Sequence, residues 1–305
     1  MITINRTLPI LLCAAWLLAG YGTGASATIT PQVPRFISSS CPFPVGFGLA
    51  AGKTVRCGYL IVPEDRTKPN GRTIKLAVAI FKSPVQHPAP DPVIYLAGGP
   101  GDPALSGLGQ ALTVTNESDV VGDRDLLLID QRGTGYSQPS LACPAAAHLI
   151  QVPPQPVGKE LASLDSAYRQ CHDRLVHDGI DLSAYNTVEN AADVADLRKT
   201  LGYRTVNLYG VSYGTRLALT VMRDYPQGIR SVVLDSVVPP RHDYAARLRS
   251  IEPAFTTLFH GCAQAPNCSH EFPHLLQVFD QEVAHLDAKP LRVKDRSEVA
   301  SVDVR

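Results

Sequence analysis

The residues most able to do chemistry are Gly210-Val211-Ser212-Tyr213-Gly214, a G-x-S-x-G pattern. The chemistry it suits is nucleophilic attack by the Ser212 hydroxyl on a carbonyl, through an acyl-enzyme. A serine used this way sits on a sharp strand-to-helix turn, and the positions two before and two after must be small. The sequence supplies that setting: an apolar strand over 205–209 precedes Ser212, and a helical pattern over 213–225 follows, closed by Pro226. The developing oxyanion needs two donors. One is the backbone N–H of Tyr213, at the start of the helix. The other is expected from Gly98-Gly99-Pro100-Gly101, which follows an earlier buried strand. Gly99 is the chosen donor there, with Gly98 close behind.

A second glycine-rich stretch, Asp130-Gln131-Arg132-Gly133-Thr134-Gly135, admits two readings. Arg132 could meet a substrate carboxylate, or it could be a buried side chain that stitches the loop beside the site; the second is preferred. No Gly-Lys-Ser/Thr follows, so this is not a phosphate loop.

These motifs need a scaffold. Residues 54–62 and 73–82 read as two strands around the turn Lys68-Pro69-Asn70-Gly71, with Ile74, Leu76, Val78 and Ile80 on one face of the second. Four short apolar runs follow, at 93–96, 126–129, 206–209 and 231–234, as expected of strands buried on both faces. Helical patterns separate them, over 163–176 and around Ala191, Val194, Leu197 and Leu201, with Thr187 as N-cap and Gly202 as stop. Strands alternating with helices imply a mostly parallel central sheet covered on both faces. The stretch before residue 54, with Pro31, Pro34, Pro42 and Pro44, reads as loop. After Pro240 the strand signal fades. Residues 244–259 and 274–286 read as helices flanking a loop from Cys262 to Cys268, the start of a helical cap over 241–305.

The chain has 305 residues, 45% hydrophobic, with 28 basic and 28 acidic side chains. That balance, without a basic stripe, argues against nucleic acid as a partner. Arg6, the apolar run 8–18 and Ala25-Ser26-Ala27 read as a signal peptide over 1–27, so no stable membrane span is expected once it is cleaved. Of seven cysteines one, Cys13, falls in that leader. The remaining Cys41, Cys57, Cys143, Cys171, Cys262 and Cys268 suit disulfides in an exported protein, periplasmic or extracellular. Six cysteines allow 15 pairings and the sequence does not choose among them; the sequential set is the simplest. No Cys-x-x-Cys occurs, so neither metal nor cofactor is expected.

The glycine loop at 98–101, the run Asp130 to Ser137 and the motif from Gly210 to Thr215 together resemble the exported tripeptidyl aminopeptidase and proline iminopeptidase family, a branch of the α/β-hydrolases. The resemblance spans about residues 41–240. It implies an α/β-hydrolase core at 28–240, and release of one or a few residues from a peptide N-terminus. The cysteine pairs also resemble those of the secreted members. In that family the catalytic acid and histidine come after the cap, so both are expected beyond Arg305, with the last strands. The chain then reads as an N-terminal portion that hydrolyses reporters weakly or not at all. The histidines after Ser212 (His242, His260, His270, His274 and His285) all fall in the expected cap, and Asp235 reads as structural. An esterase or lipase on the same fold is the rival reading, and an inactive remnant is a third. Peptidase action on a free amine would call on cap carboxylates, for which Glu252 and Glu282 are available.

Overall fold

The computed structural model describes residues 33–301, except 69, 114–115, 152–156, 242–248, 290–291 and 295–298. The expected leader at 1–27 lies outside the described residues, as does part of the helix expected from 244.

Seven strands form one sheet: β1 (Arg35–Ser39), β2 (Val55–Pro63), β3 (Thr73–Phe81), β4 (Ala89–Leu96), β5 (Arg124–Ile129), β6 (Val206–Val211) and β7 (Ile229–Asp235). Their spatial order is β1-β2-β3-β5-β4-β6-β7. The pairings from β1 through β3 to β5 are antiparallel, and those joining β5, β4, β6 and β7 are parallel. The alternation in β3 explains how both faces are covered. Ile74, Leu76, Val78 and Ile80 enter one core cluster, while Ala77, Ala79 and Phe81 enter the other. Helices α1 (Glu117–Val121), α2 (Pro144–Gln151), α3 (Val157–His177), α4 (Thr187–Thr200) and α5 (Tyr213–Asp224) connect the strands. Ala191, Val194 and Leu197 of α4, with Leu217, Ala218 and Val221 of α5, close the first cluster. Val121 of α1 and Leu105, on a helical turn over Leu105–Gly109, close the second.

The structure corrects four expectations. Residues 35–39 form a strand rather than loop. It is short and mostly exposed, so it carries no alternation, and β2 templates it through a regular antiparallel register. The N-cap of α4 is Asn186, not Thr187. The Asn186 side chain accepts hydrogen bonds from the Val188 and Glu189 N–H groups at 2.9 and 3.0 Å, while the Thr187 hydroxyl pairs with Tyr213. The expected loop from Cys262 to Cys268 is mostly helix. Helix α6 (Ile251–Gln264) runs through Cys262, and α7 (Pro266–Glu271) starts on a proline suited to a first turn. After α8 (Leu275–Ala288), where no strand was expected, β8 (Arg292–Lys294) and β9 (Val299–Ser301) pair antiparallel.

The cysteines are bonded Cys41–Cys57, Cys143–Cys171 and Cys262–Cys268, the sequential set. They tie the approach to β2, α2 to α3, and α6 to α7. Among the described residues β7 is an open edge of the sheet, with Val233 55% exposed, the kind of edge that invites strand addition. No described helix is long and apolar enough to cross a membrane.

Candidate active site

Strand β6 delivers the chain to Ser212, which precedes α5 with φ 53° and ψ −120°. A serine in that region costs about 1–3 kcal/mol, so its surroundings must hold it there. They do so through the backbone. The Ser212 N–H donates to the Asp235 carbonyl at 2.9 Å, and the Ser212 carbonyl accepts from the Thr215 N–H at 2.9 Å and the Thr215 hydroxyl at 2.7 Å. The same hydroxyl accepts from the Val238 N–H at 2.8 Å, locking the turn to the chain leaving β7. The flanking glycines are sterically required. A Cβ on Gly214 would stand 1.9 Å from the Leu96 carbonyl oxygen, and one on Gly210 would stand 2.5 Å from the Gly214 carbonyl oxygen.

The parallel pairing of β4 with β6 brings the 98–101 loop beside this turn. A cavity of about 700 Å³ opens there, lined among others by Tyr95, Gly98, Gly99, Asp102 and Ser212. A Cβ on Gly98 would lie 3.1 Å from Ser212 Cβ and 3.1 Å from the Val211 carbonyl oxygen. Gly99, at φ +94°, turns the loop back, and a Cβ there would lie 2.7 Å from the Gly101 nitrogen. Both expected glycines therefore line the cavity of Ser212, and Gly98 makes the tighter approach. Tyr213 opens α5, so its N–H belongs to the first turn, which has no intrahelical acceptor.

Loop 130–137 braces this arrangement. The buried Asp130 carboxylate accepts from the Leu105 and Tyr136 N–H groups at 2.9 and 2.8 Å. Burial pushes its pKa up, against the opposing pull of the Leu105, Tyr136 and Ala104 backbone bonds. The Arg132 side chain is 0% exposed and grips Asp193 with two bonds, at 2.6 and 2.9 Å. It also donates to the carbonyls of Pro63, Glu64 and Ala184. Arg132 is therefore the stitch expected, with no guanidinium edge left for a substrate. Arg66 adds bonds to Asp193 and Asp196 at 2.6 and 2.7 Å.

Residues 91–290 match the family described as alpha/beta hydrolase fold. The chain belongs to the α/β-hydrolase fold family. Over 201 residues it is 33% identical to the tripeptidyl aminopeptidase of Streptomyces lividans, covering 63% of this chain and 37% of that protein. Over 227 residues it is 31% identical to the serine protease Hip1 of Mycobacterium tuberculosis, covering 70% and 42%. The chain thus spans well under half the length of either relative. Among solved structures, an α/β hydrolase from Novosphingobium aromaticivorans is similar at 15% identity, with a TM-score of 0.38 over 67% of this chain and 51% of that one.

In α/β-hydrolases the serine on its elbow needs a histidine and an acid. His242 lies outside the described residues. His260, His270, His274 and His285 stand on or between α6, α7 and α8, and no hydrogen bond joins any of them to Ser212. Among the described residues no side chain hydrogen-bonds the Ser212 hydroxyl. The Asp235 carboxylate accepts instead from the Tyr209 hydroxyl and the Ser236 hydroxyl, each at 3.1 Å. Reading the 98–101 loop only for its glycines missed Tyr95 and Asp102, which also line the cavity. Tyr95 and Tyr209 pack with ring centroids 5.9 Å apart. Burial, then Asp102 and Asp235, push the Tyr95 hydroxyl up, and the bond to Asp235 does the same for Tyr209. The signal was available as Asp102, two residues past the glycines' proline.

Proposed function

We propose that this chain carries the nucleophile of an exported serine peptidase that releases residues from peptide N-termini through an acyl-enzyme on Ser212. The supporting observation is the strained Ser212 backbone pressed against Gly98 at the floor of an open cavity. In this reading the Ser212 oxygen attacks the substrate carbonyl and its proton passes to a base. The Tyr213 N–H and an N–H of the Gly98–Gly99 loop receive the oxyanion. The amine leaves, and water then frees the acyl group. The Asp102 carboxylate, which lines the cavity, favours a substrate arriving with a free ammonium, in keeping with the aminopeptidase name of one relative. Three disulfides favour an oxidising compartment, which fits a leader at 1–27, a core at 28–240 and a helical cap from 241.

No described histidine serves Ser212, so slow turnover is expected of the 305 residues alone. The test is accordingly on the adduct. Mass spectrometry after incubation with a fluorophosphonate, or with an activated aminoacyl ester, should find the adduct on Ser212 and none on Ser212→Ala. An adduct that survives Ser212→Ala overturns the reading. Equal acylation by a free-amine peptide ester and its N-acetylated form would move the assignment from peptidase to esterase.

A further inference from the structure

On the far side of the 98–101 loop lies a second cleft, of about 600 Å³, that the proposed chemistry does not use. Pro100 and Gly101 line it, whereas Gly98 and Gly99 line the nucleophile cavity. Tyr213, the residue after the nucleophile, lines it as well. Most of the polar groups that line it are spent. Arg132 is fully paired, the Tyr185 hydroxyl donates to Glu64 at 2.8 Å, and the Asn186 side chain caps α4.

Two buried side-chain amides and one hydroxyl pair are not fully spent. Asn190 is 8% exposed, and its Oδ1 accepts from the Arg132 N–H at 3.2 Å. That bond fixes the amide's orientation, so its Nδ2 is the other end, and it has no partner among the described residues. Gln131 is 5% exposed, and its Nε2 donates to the Ala97 carbonyl at 3.0 Å. Its Oε1 is likewise left without a partner there. The Tyr213 and Thr187 hydroxyls share one bond at 2.9 Å, which leaves one further O–H proton to give. A buried amide group without a partner is costly, so one that the fold retains calls for an explanation.

We infer that this cleft is a subsite for a neutral peptide or carboxamide group, which accepts from Asn190 Nδ2 and donates to Gln131 Oε1. A carboxylate would leave Gln131 Oε1 without a donor, and an ammonium would leave Asn190 without an acceptor. The amide unit satisfies both. The inference rests on the peptidase reading for its biological use, since a peptide substrate carries such units on either side of the reacting carbonyl.

The probe is N-acetylglycine N-methylamide, titrated into the ¹⁵N-labelled 305-residue protein. The Asn190 side-chain amide signal should move saturably, with a millimolar Kd. Sodium acetate at the same concentration should not move it. Asn190→Asp keeps an oxygen acceptor for the Arg132 N–H and puts a carboxylate oxygen where the donor stood; it should weaken binding at least about tenfold. Ser212→Ala should bind as the parent does. A flat titration of the parent overturns the inference, and so does equal binding by a folded Asn190→Asp variant. The parent titration stands whether or not that variant folds. Amide binding without any Ser212 adduct would sink the peptidase reading and keep the subsite; an adduct without amide binding at Asn190 would do the reverse.

Discussion

In the sheet, Leu60, Leu76, Ile94, Leu127 and Leu208 are no more than 1% exposed. In the helical segment from residue 251, Phe255, Leu258, Phe272, Leu276 and Val278 are all at least 40% exposed, and α6 buries only Cys262. Both regions are apolar, and the difference is geometry. A strand between two layers finds partners above and below, and α4 and α5 arrive with matching faces. The three later helices have one another. Phe255, Phe259 and Phe279 meet with centroids 5.2–5.9 Å apart, and Cys262–Cys268 fastens the first turn. Helices draw most of their stability from packing, so the helical segment is held far less firmly than the sheet.

The sharpest way to break this contrast is Gly214→Val. The new Cβ would meet the Leu96 carbonyl oxygen at 1.9 Å, so the protein should lose its cooperative thermal transition and all Ser212 labelling. A labelled, folded variant would show that β4 and α5 are not locked. Next is Asp193→Ala, which removes the paired carboxylate from the buried Arg132 and leaves it only Glu189, 3.3 Å from Nη2; urea unfolding should show a loss of about 3 kcal/mol. A cost near zero would mean that water reaches this network. Asp91→Asn tests the strand ends by pH. The Asp91 carboxyl is held below its ordinary 3.8 chiefly by the Asn207 amide, against some desolvation, with help from Arg124 and Arg230. A depressed folded value means stability that is present above 3.8 and lost as pH falls below it. The variant should therefore be about 2 kcal/mol weaker at pH 7, and the difference should shrink as pH falls below 3.8. Leu276→Ser should change stability by less than about 0.5 kcal/mol. A larger loss would show that α8 is covered after all.

The same contrast governs what could be read beforehand. The apolar runs that became β4, β5, β6 and β7 are legible because a doubly covered strand needs an unbroken apolar stretch. Ser212 and its glycines are legible because the turn tolerates so few residue types. Strand β1 left no pattern because β2 dictates it. The Asn186 cap was hidden beside Thr187, another good capping residue, which the fold assigns to Tyr213. Helix α7 was hidden because the short span between Cys262 and Cys268 read as a disulfide-closed loop, and Asp102 because the glycines before it are the stronger pattern. The unpaired ends of Asn190 and Gln131 could not be foreseen, since they follow from which end of each amide the backbone claims.

The spatial order of the strands has one more consequence, for the time at which the site comes into being. Leu96 pairs with Gly210 across more than a hundred residues of intervening chain, whereas Pro63 and Thr73 pair across a short turn. Pairings so distant in sequence form slowly compared with local ones. During synthesis the β2–β3 hairpin can close long before residue 206 exists, and the cavity beside Ser212 cannot. On the proposed function, acquisition of the Ser212 adduct during refolding would serve as a clock for the completion of the parallel half of the sheet.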